Sequence, residues 1–565
     1  MSLRRAARLV VCDPCLAAVG THPWACAEAL LSAARREGWQ GDVVARTTFR
    51  APAERPEGVG LHPILRHPGA SKLTATAELD RLEGRSRGGW RPPWEPLLRG
   101  LRRRSRALAF AADLRPLMGE LRAGDQFLVA TATEIDALGL ARAIAAARPA
   151  AGVGWHLWLH APLLVDGGLP SADPRLGRVR KLLGAATRLA SPHRLRFWAT
   201  TPELAAEWTL AGGVPVDVLP MPLSAPEPRD GGAAGDLPLR VALLGDARPE
   251  KGFALVGPLL DRVAADPFLA RSVRFAIQTN PGFDPRSRRA DDRAVAEALG
   301  GVARHVGALV EVLDGPLTLE RYGEELARAD ALLLPYDPIR YRHRCSGVLL
   351  EGMAAGKVAI VSAGGWMARQ FHEGLRRHAD RLAERHAALA EERMAGMELP
   401  ARGELRRAVC PPAGADTLLI AAAWSRPAVR DGDDGRAFDA ALRLRFWPGC
   451  VPESIVLAAD GEGRQTPAVV RMAAIPAGAT IAIDAPDIDD SPRLDSLSLR
   501  WLRCGDEAPL GASGIILAEP SVDGAVMAIG ELIAHRGHYL DRAAEAAAAI
   551  ARAHAPAVVF GRLVA

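Results

Sequence analysis

Lysine is nearly missing from this chain: of the 71 basic residues among 565, only Lys72, Lys181, Lys251 and Lys357 are lysines. The remainder are arginines, and 66 acidic residues reduce the surplus to +5. So small an excess over so long a chain does not point to nucleic acid, which calls for a concentrated basic face. Aromatic residues are also scarce, at 5%. No charge-free apolar run reaches the roughly 18 residues a bilayer-crossing helix requires, so no segment reads as membrane-spanning. Cysteines number seven, at positions 12, 15, 26, 345, 410, 450 and 504. An odd, scattered set does not resemble the disulfide framework of a secreted scaffold, and a cytoplasmic, reducing setting is expected. Cys12-Asp13-Pro14-Cys15 is a lone CxxC without the second pair a zinc site uses, and two ordinary buried thiols explain it as simply as a redox pair does.

What the chain does have is apolar content, 49% over 565 residues, enough for three or four units at roughly 150 residues each. Arg4 and Arg5 precede an apolar stretch as in a signal peptide, but Asp13 interrupts it early. The stretch reads better as a first strand, Arg8 to Val11, running into a loop and a helix from Pro23 to Arg36.

Short apolar runs then alternate with helical patterns: Asp42 to Ala45, Phe127 to Ala130, Gly154 to Leu159, Leu195 to Thr200 and Val216 to Pro220. That alternation predicts a parallel sheet covered by helices. Residues 224–237, rich in Pro, Gly and Ala, read as a linker. A second series follows at Leu239 to Leu244, Val273 to Gln278, Val310 to Leu313, Ala331 to Pro335 and Val358 to Ser362. The expected organisation is α/β, with two Rossmann-like doubly wound domains and a cleft between them. The first covers 1–223, and the second covers 238–366 together with 514–536. Residues 367–408 read as a charged helical connector and 409–513 as an inserted small all-β, sandwich-like domain with period-two strands between Gly, Pro and Asp clusters. Residues 537–565 read as a C-terminal helix.

Two segments carry chemistry. Gly245-Asp246-Ala247-Arg248-Pro249-Glu250-Lys251-Gly252 follows a strand directly, at the crevice end of a parallel sheet where ligands bind. Its glycines let backbone approach a ligand, and Arg248 and Lys251 suit a diphosphate. The second segment runs from Leu334 to Lys357. Ser346 is a good N-cap there, Gly347 and Val348 open a helix, and Gly356 is a good residue to end it. A helix N-terminus preceded by Arg342 and Arg344 is an anion site. Glu351 lies more than one turn along, where it suits ribose hydroxyls.

These two stretches resemble the donor-binding motifs of GT-B glycosyltransferases, most of all the retaining family-4 type. The resemblance rests on the Glu250-Lys251-Gly252 loop and the Ser346 to Gly356 helix in that order, and Gly514 to Pro520 is similar to the strand that follows the donor helix. It covers roughly 1–370 and 514–565. It implies a hexosyltransferase using a nucleotide-diphosphate sugar, with no bound cofactor and no essential metal. Arg248 and Lys251 would hold the diphosphate, with Gly245, Arg344, Ser346, Gly347 and Val348 beside it and Glu351 on ribose. His160, closing the strand Gly154 to Leu159, matches a family active-site histidine, and Gly20 and Thr21, next to His22, match a glycine loop facing donor and acceptor. Two positions depart from the pattern. His343 stands where the family has an acidic residue eight places before the ribose glutamate, and Asp246 stands where it has an arginine, with Arg248 two places on. The acceptor is expected to be a glycan or a lipid-linked glycan.

Arginines from Arg85 to Arg106, interleaved with Trp90, Trp94, Leu97, Leu98 and Leu101, could rest on anionic lipid headgroups as a peripheral membrane contact or form a solvated face over a partly buried helix. In the insert, 431–435 and 487–490 could hold calcium or be acidic turns. A non-catalytic glycan-binding or assembly protein on the same scaffold, an inverting enzyme and a sugar phosphorylase are the competing readings.

Overall fold

The computed structural model describes residues 6–18, 22–49, 58–66, 95–163, 174–223, 238–281, 290–370, 382–398, 404–425, 441–445, 450–451, 454–458, 466–472, 480–484, 493–504 and 514–565. These form two compact units: Met1–Ser224 with His343–Cys345 and Ala551–Ala565, and Ala225–Arg342 with Ser346–Ile550.

The first unit is built on β1 (Arg8–Cys12), β2 (Gln40–Arg46), β3 (Val59–Leu65), β4 (Gln126–Ala132), β5 (Gly154–Leu159), β6 (Leu195–Ala199) and β7 (Val216–Val218). They lie in the order β3-β2-β1-β4-β5-β6-β7, all parallel. Running outward from β1 in both directions, this is the order of a Rossmann sheet. Between the strands come α1 (His22–Arg36), α2 (Glu95–Met118), α3 (Glu134–Ala147), α4 (Pro174–Ala190) and α5 (Pro202–Gly212). Successive residues of a strand face opposite sides. Accordingly Val10 and Cys12 join a buried cluster with Phe110, Leu140 and Leu183, while Leu9 and Val11 join another with Leu30 and Phe560. Because both faces are covered, β1 is buried along its whole length, which is why such strands read as unbroken apolar runs. β3 escapes the sequence reading. Carrying Pro63 at the sheet edge, it is mostly half-buried and shows no strong pattern.

The second unit repeats this order with β8 (Leu239–Leu243), β9 (Val273–Gln278), β10 (Val310–Leu313), β11 (Ala331–Leu334) and β12 (Val358–Ser362), plus a sixth strand far along the chain. Its helices are α6 (Val256–Ala265), α7 (Pro267–Ser272), α8 (Ala290–Ala303), α9 (Leu319–Arg328) and α10 (Gly347–Ala354).

Between β12 and that sixth strand run β13 (Ala390–Glu398), β14 (Glu404–Ala408), β15 (Thr417–Ser425), β16 (Ala441–Arg445), β17 (Cys450–Val451), β18 (Ser454–Ala458), β19 (Thr466–Met472), β20 (Thr480–Asp484) and β21 (Arg493–Leu502). They form two antiparallel sheets, β13-β21-β15-β19-β17 and β14-β20-β16-β18. Then β22 (Ile515–Ala518) pairs parallel with β12, giving the order β10-β9-β8-β11-β12-β22.

The expected helical connector over 367–408 must be corrected. Residues 367–370 and 382–385 are helical, but β13 and β14 already belong to the antiparallel sheets. β13 is an edge strand with Glu391 and Arg393 exposed. Charged residues at an edge discourage pairing with other chains, and the same charges imitate a solvated helix in the sequence.

The C-terminus is likewise two helices after α11 (Val522–Ala534): α12 (Arg536–Ala553) and α13 (Pro556–Val564). Together they are long and apolar enough, by composition, to cross a bilayer, yet Pro556 breaks them. Val559, Phe560 and Leu563 of α13 are buried in the first unit's core.

Candidate functional site

In the second unit, chain leaving β8 must turn at once. Gly245 does so at φ +97°, and its N–H donates to Gln278 Oε1 over 2.7 Å. The Ala247 N–H donates to the Asn280 carbonyl over 2.9 Å. Pro249–Lys251 then forms one 3-10 turn, closed by Gly252 at φ +67°. Both glycines are required. A Cβ on Gly252 would strike the Pro335 carbonyl, and one on Gly245 would strike Lys251 Nζ while lying 3.9 Å from Val348 Cγ2. The loop, its lysine and the first turn of α10 are therefore brought together within a single unit.

α10 begins where the sequence places it. Ser346 is buried, and its Oγ accepts from the Leu349 N–H over 3.3 Å. The helix ends at Ala355, with Gly356 at φ +69°. Gly352 lets it approach β11 so closely that a Cβ would meet the Leu332 side chain. That packing aims the N-terminal turn, with its positive dipole end, toward the loop.

Lys251 Nζ sits 5.7 Å from the centre of the Tyr336 ring, a cation over an aromatic face. Arg248 is engaged differently, because it pairs with Asp246 and lies 3.9 Å from Glu250. Asp246 also accepts from Asn280 Nδ2 over 2.6 Å. Burial tends to raise the Asp246 carboxyl, but Arg248, Asn280 and Lys251 outweigh it and hold the group below the usual range. The arginine charge is thus largely met inside the loop, whereas the lysine is the cation set beside α10.

Sequence reasoning missed Tyr322. From α9 its hydroxyl donates to Glu351 Oε2 over 2.5 Å. Burial pushes the Glu351 carboxyl up, while the Tyr322 hydrogen bond and the Lys251 charge pull it down, with a net rise. The Tyr322 phenol is raised well above its ordinary value by burial and by Glu351. No motif carries such a contact, because the two residues are 29 apart.

The remaining candidates lie in the first unit. His160 follows β5; its Nε2 is 2.6 Å from the Ala130 carbonyl and its ring lies tilted at 52° against Trp158 with centroids 4.4 Å apart. A carbonyl only accepts, so Nε2 carries a proton. Nearby strand ends hold Asp13, another residue the sequence reading passed over. It accepts from Thr131 Oγ1 over 2.5 Å and from the Cys15 N–H over 2.7 Å, and burial raises its carboxyl.

His343 and Arg344 belong to a three-residue stretch grouped with this unit. His343 Nδ1 lies 2.7 Å from Glu207 Oε2 of α5, and its carbonyl accepts from Thr201 Oγ1 over 2.8 Å. Gly20 and Thr21 lie outside the described residues, as do 431–435, 487–490 and, of the arginine-rich segment, 84–94. Arg106, at the end of that segment, does not face solvent. It is 7% exposed, 3.8 Å from Asp136, with its guanidinium 5.7 Å from the Phe110 ring centre.

Both CxxC thiols are unpaired. Burial and the Asp13 charge push Cys15 up to about 11 and raise Cys12 as well.

No family model matches the chain, and no curated protein matches it in sequence. Among solved structures it is similar to a sucrose-phosphate synthase from Thermosynechococcus elongatus, at 15% identity and TM-score 0.41 over 65% of this chain and 84% of that one. It is also similar to an α,α-trehalose 6-phosphate synthase from Burkholderia multivorans, at 15% and 0.41 over 66% and 85%. A third is Anabaena HepE in complex with UDP and glucose, at 15% and 0.39 over 64% and 82%. These likenesses are distant, and the chemistry below stands on the residues just described.

Proposed function

We propose that the chain is a GT-B glycosyltransferase that moves a sugar, with retention, from a nucleotide-diphosphate sugar to a glycan or glycolipid acceptor in cell-surface polysaccharide synthesis. The observation that carries this reading is the meeting of Gly245, Lys251 and Val348, with Glu351 one turn further along the same helix. A tight glycine turn, a lysine and a helix N-terminus together offer backbone N–H groups and positive charge to a pyrophosphate. Glu351 is spaced to accept from ribose hydroxyls.

Departure of the sugar leaves growing negative charge on the diphosphate. Fixed donors aimed at that charge are the principal catalytic device available to these residues. His160 is proposed to stand near the donor sugar, and Arg248 to contact the diphosphate once its pairing with Asp246 opens. Retention by same-face attack assisted by the leaving phosphate, a cytoplasmic site of action, a carbohydrate-binding role for the antiparallel sheets and a peripheral lipid contact belong to the same proposal. For the lipid contact, α2 offers exposed Arg102 and Arg104 beside exposed Leu101 and Leu108.

A non-catalytic binding role is the second reading, favoured by His343 in place of an acid and by its engagement with Glu207. Titration calorimetry of the full chain with UDP, GDP and ADP tests the proposal, followed by a hydrolysis assay on the sugar forms of whichever nucleotide binds. Lys251→Ala should weaken nucleotide binding by roughly tenfold or more, the usual cost of one charge-assisted contact, and leave the melting temperature nearly unchanged. Binding without turnover would favour the second reading, and absence of binding to all three nucleotides would sink the first.

A further inference from the structure

A cavity lies at the end of the first unit's sheet where β4, β5 and β6 begin rather than where they end. Its volume is about 840 Å³, and its lining includes Arg148, Arg194, Arg196, His193 and Gln126 but no aspartate or glutamate. Among the described residues none of the three arginines has a carboxylate partner, in contrast to Arg248, Arg240 and Arg8, each of which is paired. Three guanidiniums around one hollow repel one another, and an anion relieves the repulsion.

Local structure sets these groups in place. Arg148 caps α3 through its N–H to the Ile144 carbonyl, and it is the one non-glycine among the described residues with positive φ, at +49°. Pro149 follows and prevents the helix from continuing. Inside, Trp198 Nε1 donates to His156 Nδ1 over 3.0 Å, so His156 Nε2 is the nitrogen that donates to Gln126 Oε1 over 2.8 Å. Burial and the Arg196 charge hold His156 down at about 3, so it stays neutral and the Gln126 amide is fixed in orientation. Leu563 and Val564 of α13 close an apolar wall.

We infer that this cavity binds the phosphate group of a small phosphorylated metabolite, at a site separate from the nucleotide loop. Guanidinium forks match phosphate oxygens in pairs, and the volume lies within the range of small-molecule pockets. Position separates the two functions, because His160 marks the carboxyl end of β5 while Gly154, which lines the cavity, marks its amino end.

Calorimetry on the full chain with ribose 5-phosphate, inorganic phosphate and uncharged ribose provides the test. Ribose 5-phosphate and phosphate should bind, more weakly as NaCl is raised, while ribose should not. Arg194→Gln combined with Arg196→Gln should lower the affinity at least about tenfold, and Lys251→Ala should leave it unchanged. Arg148→Gly is a second variant that removes a charge while suiting the left-handed backbone, so it should fold normally and bind phosphate more weakly. Undiminished binding by the arginine variants, loss of binding in Lys251→Ala, equal binding of ribose, or no binding of either phosphate compound would each overturn the inference.

Discussion

The Tyr322 hydroxyl holds Oε2 of Glu351 at 2.5 Å, tying α9 to the middle of α10. Burial at this position, which the Tyr322 bond only partly offsets, makes the Glu351 carboxylate costly to the folded state. Because burial raises its carboxyl above the ordinary value despite Tyr322 and Lys251, the folded chain holds the proton more tightly than the unfolded one. Stability therefore falls as pH climbs from the unfolded value through the folded one, and stays lower above it. Glu351→Gln, which keeps an acceptor for Tyr322, should raise the melting temperature at neutral pH and weaken nucleotide binding about tenfold. An unchanged affinity would remove Glu351 from the site.

Gly252 is expected to be intolerant of any side chain. At φ +67° with the Pro335 carbonyl in the way of a Cβ, Gly252→Ala pays both backbone strain and a collision with main chain. Destabilisation of at least about 1–3 kcal/mol is expected, read from denaturant or thermal unfolding. Gly300→Ala, whose Cβ meets nothing within 4 Å, is the control and should be neutral or slightly stabilising.

Asp246 competes with the proposed ligand for Arg248. Asp246→Asn should release the guanidinium and tighten nucleotide diphosphate binding several-fold at low salt. It should also blunt the loss of stability in acid, since a carboxyl held below its unfolded value contributes stability that disappears as pH falls from about 4 through the folded value. Weaker binding in this variant would mean instead that Asp246 positions Arg248 for the ligand.

The Cys12–Cys15 pair should be chemically quiet. With the Cys15 thiol near 11, the thiolate fraction at pH 8 is about one in a thousand, against roughly a quarter for an ordinary cysteine. Iodoacetamide should modify Cys15 of the native chain on the order of a hundred times more slowly than an unhindered thiol. Rapid labelling would revive a redox role.

The sequence by itself determined much of the local structure. Residues 9–12 of β1, all of β11 and residues 358–361 of β12 are apolar without break because both faces of these strands are buried, and that pattern is visible before any coordinates. Ser346 and Gly356 mark the ends of α10 because capping and left-handed backbone are local demands, met by residues adjacent in sequence. What only the tertiary structure decided are contacts between distant residues. Charge balance in the loop depends on Asn280 reaching Asp246, and Glu351 depends on a tyrosine in another helix. His343 is taken up by Glu207, 136 residues away, and the arginine-lined hollow gathers Arg148 from the end of α3, Arg194 from the chain before β6 and Arg196 from β6 itself. β13 was hidden for the same reason: an edge strand dressed in charge shows its period of two only once β21 lies beside it. Periodicity and capping act within a few residues, while burial, ion pairing and strand partnership are settled by neighbours that sequence spacing does not reveal.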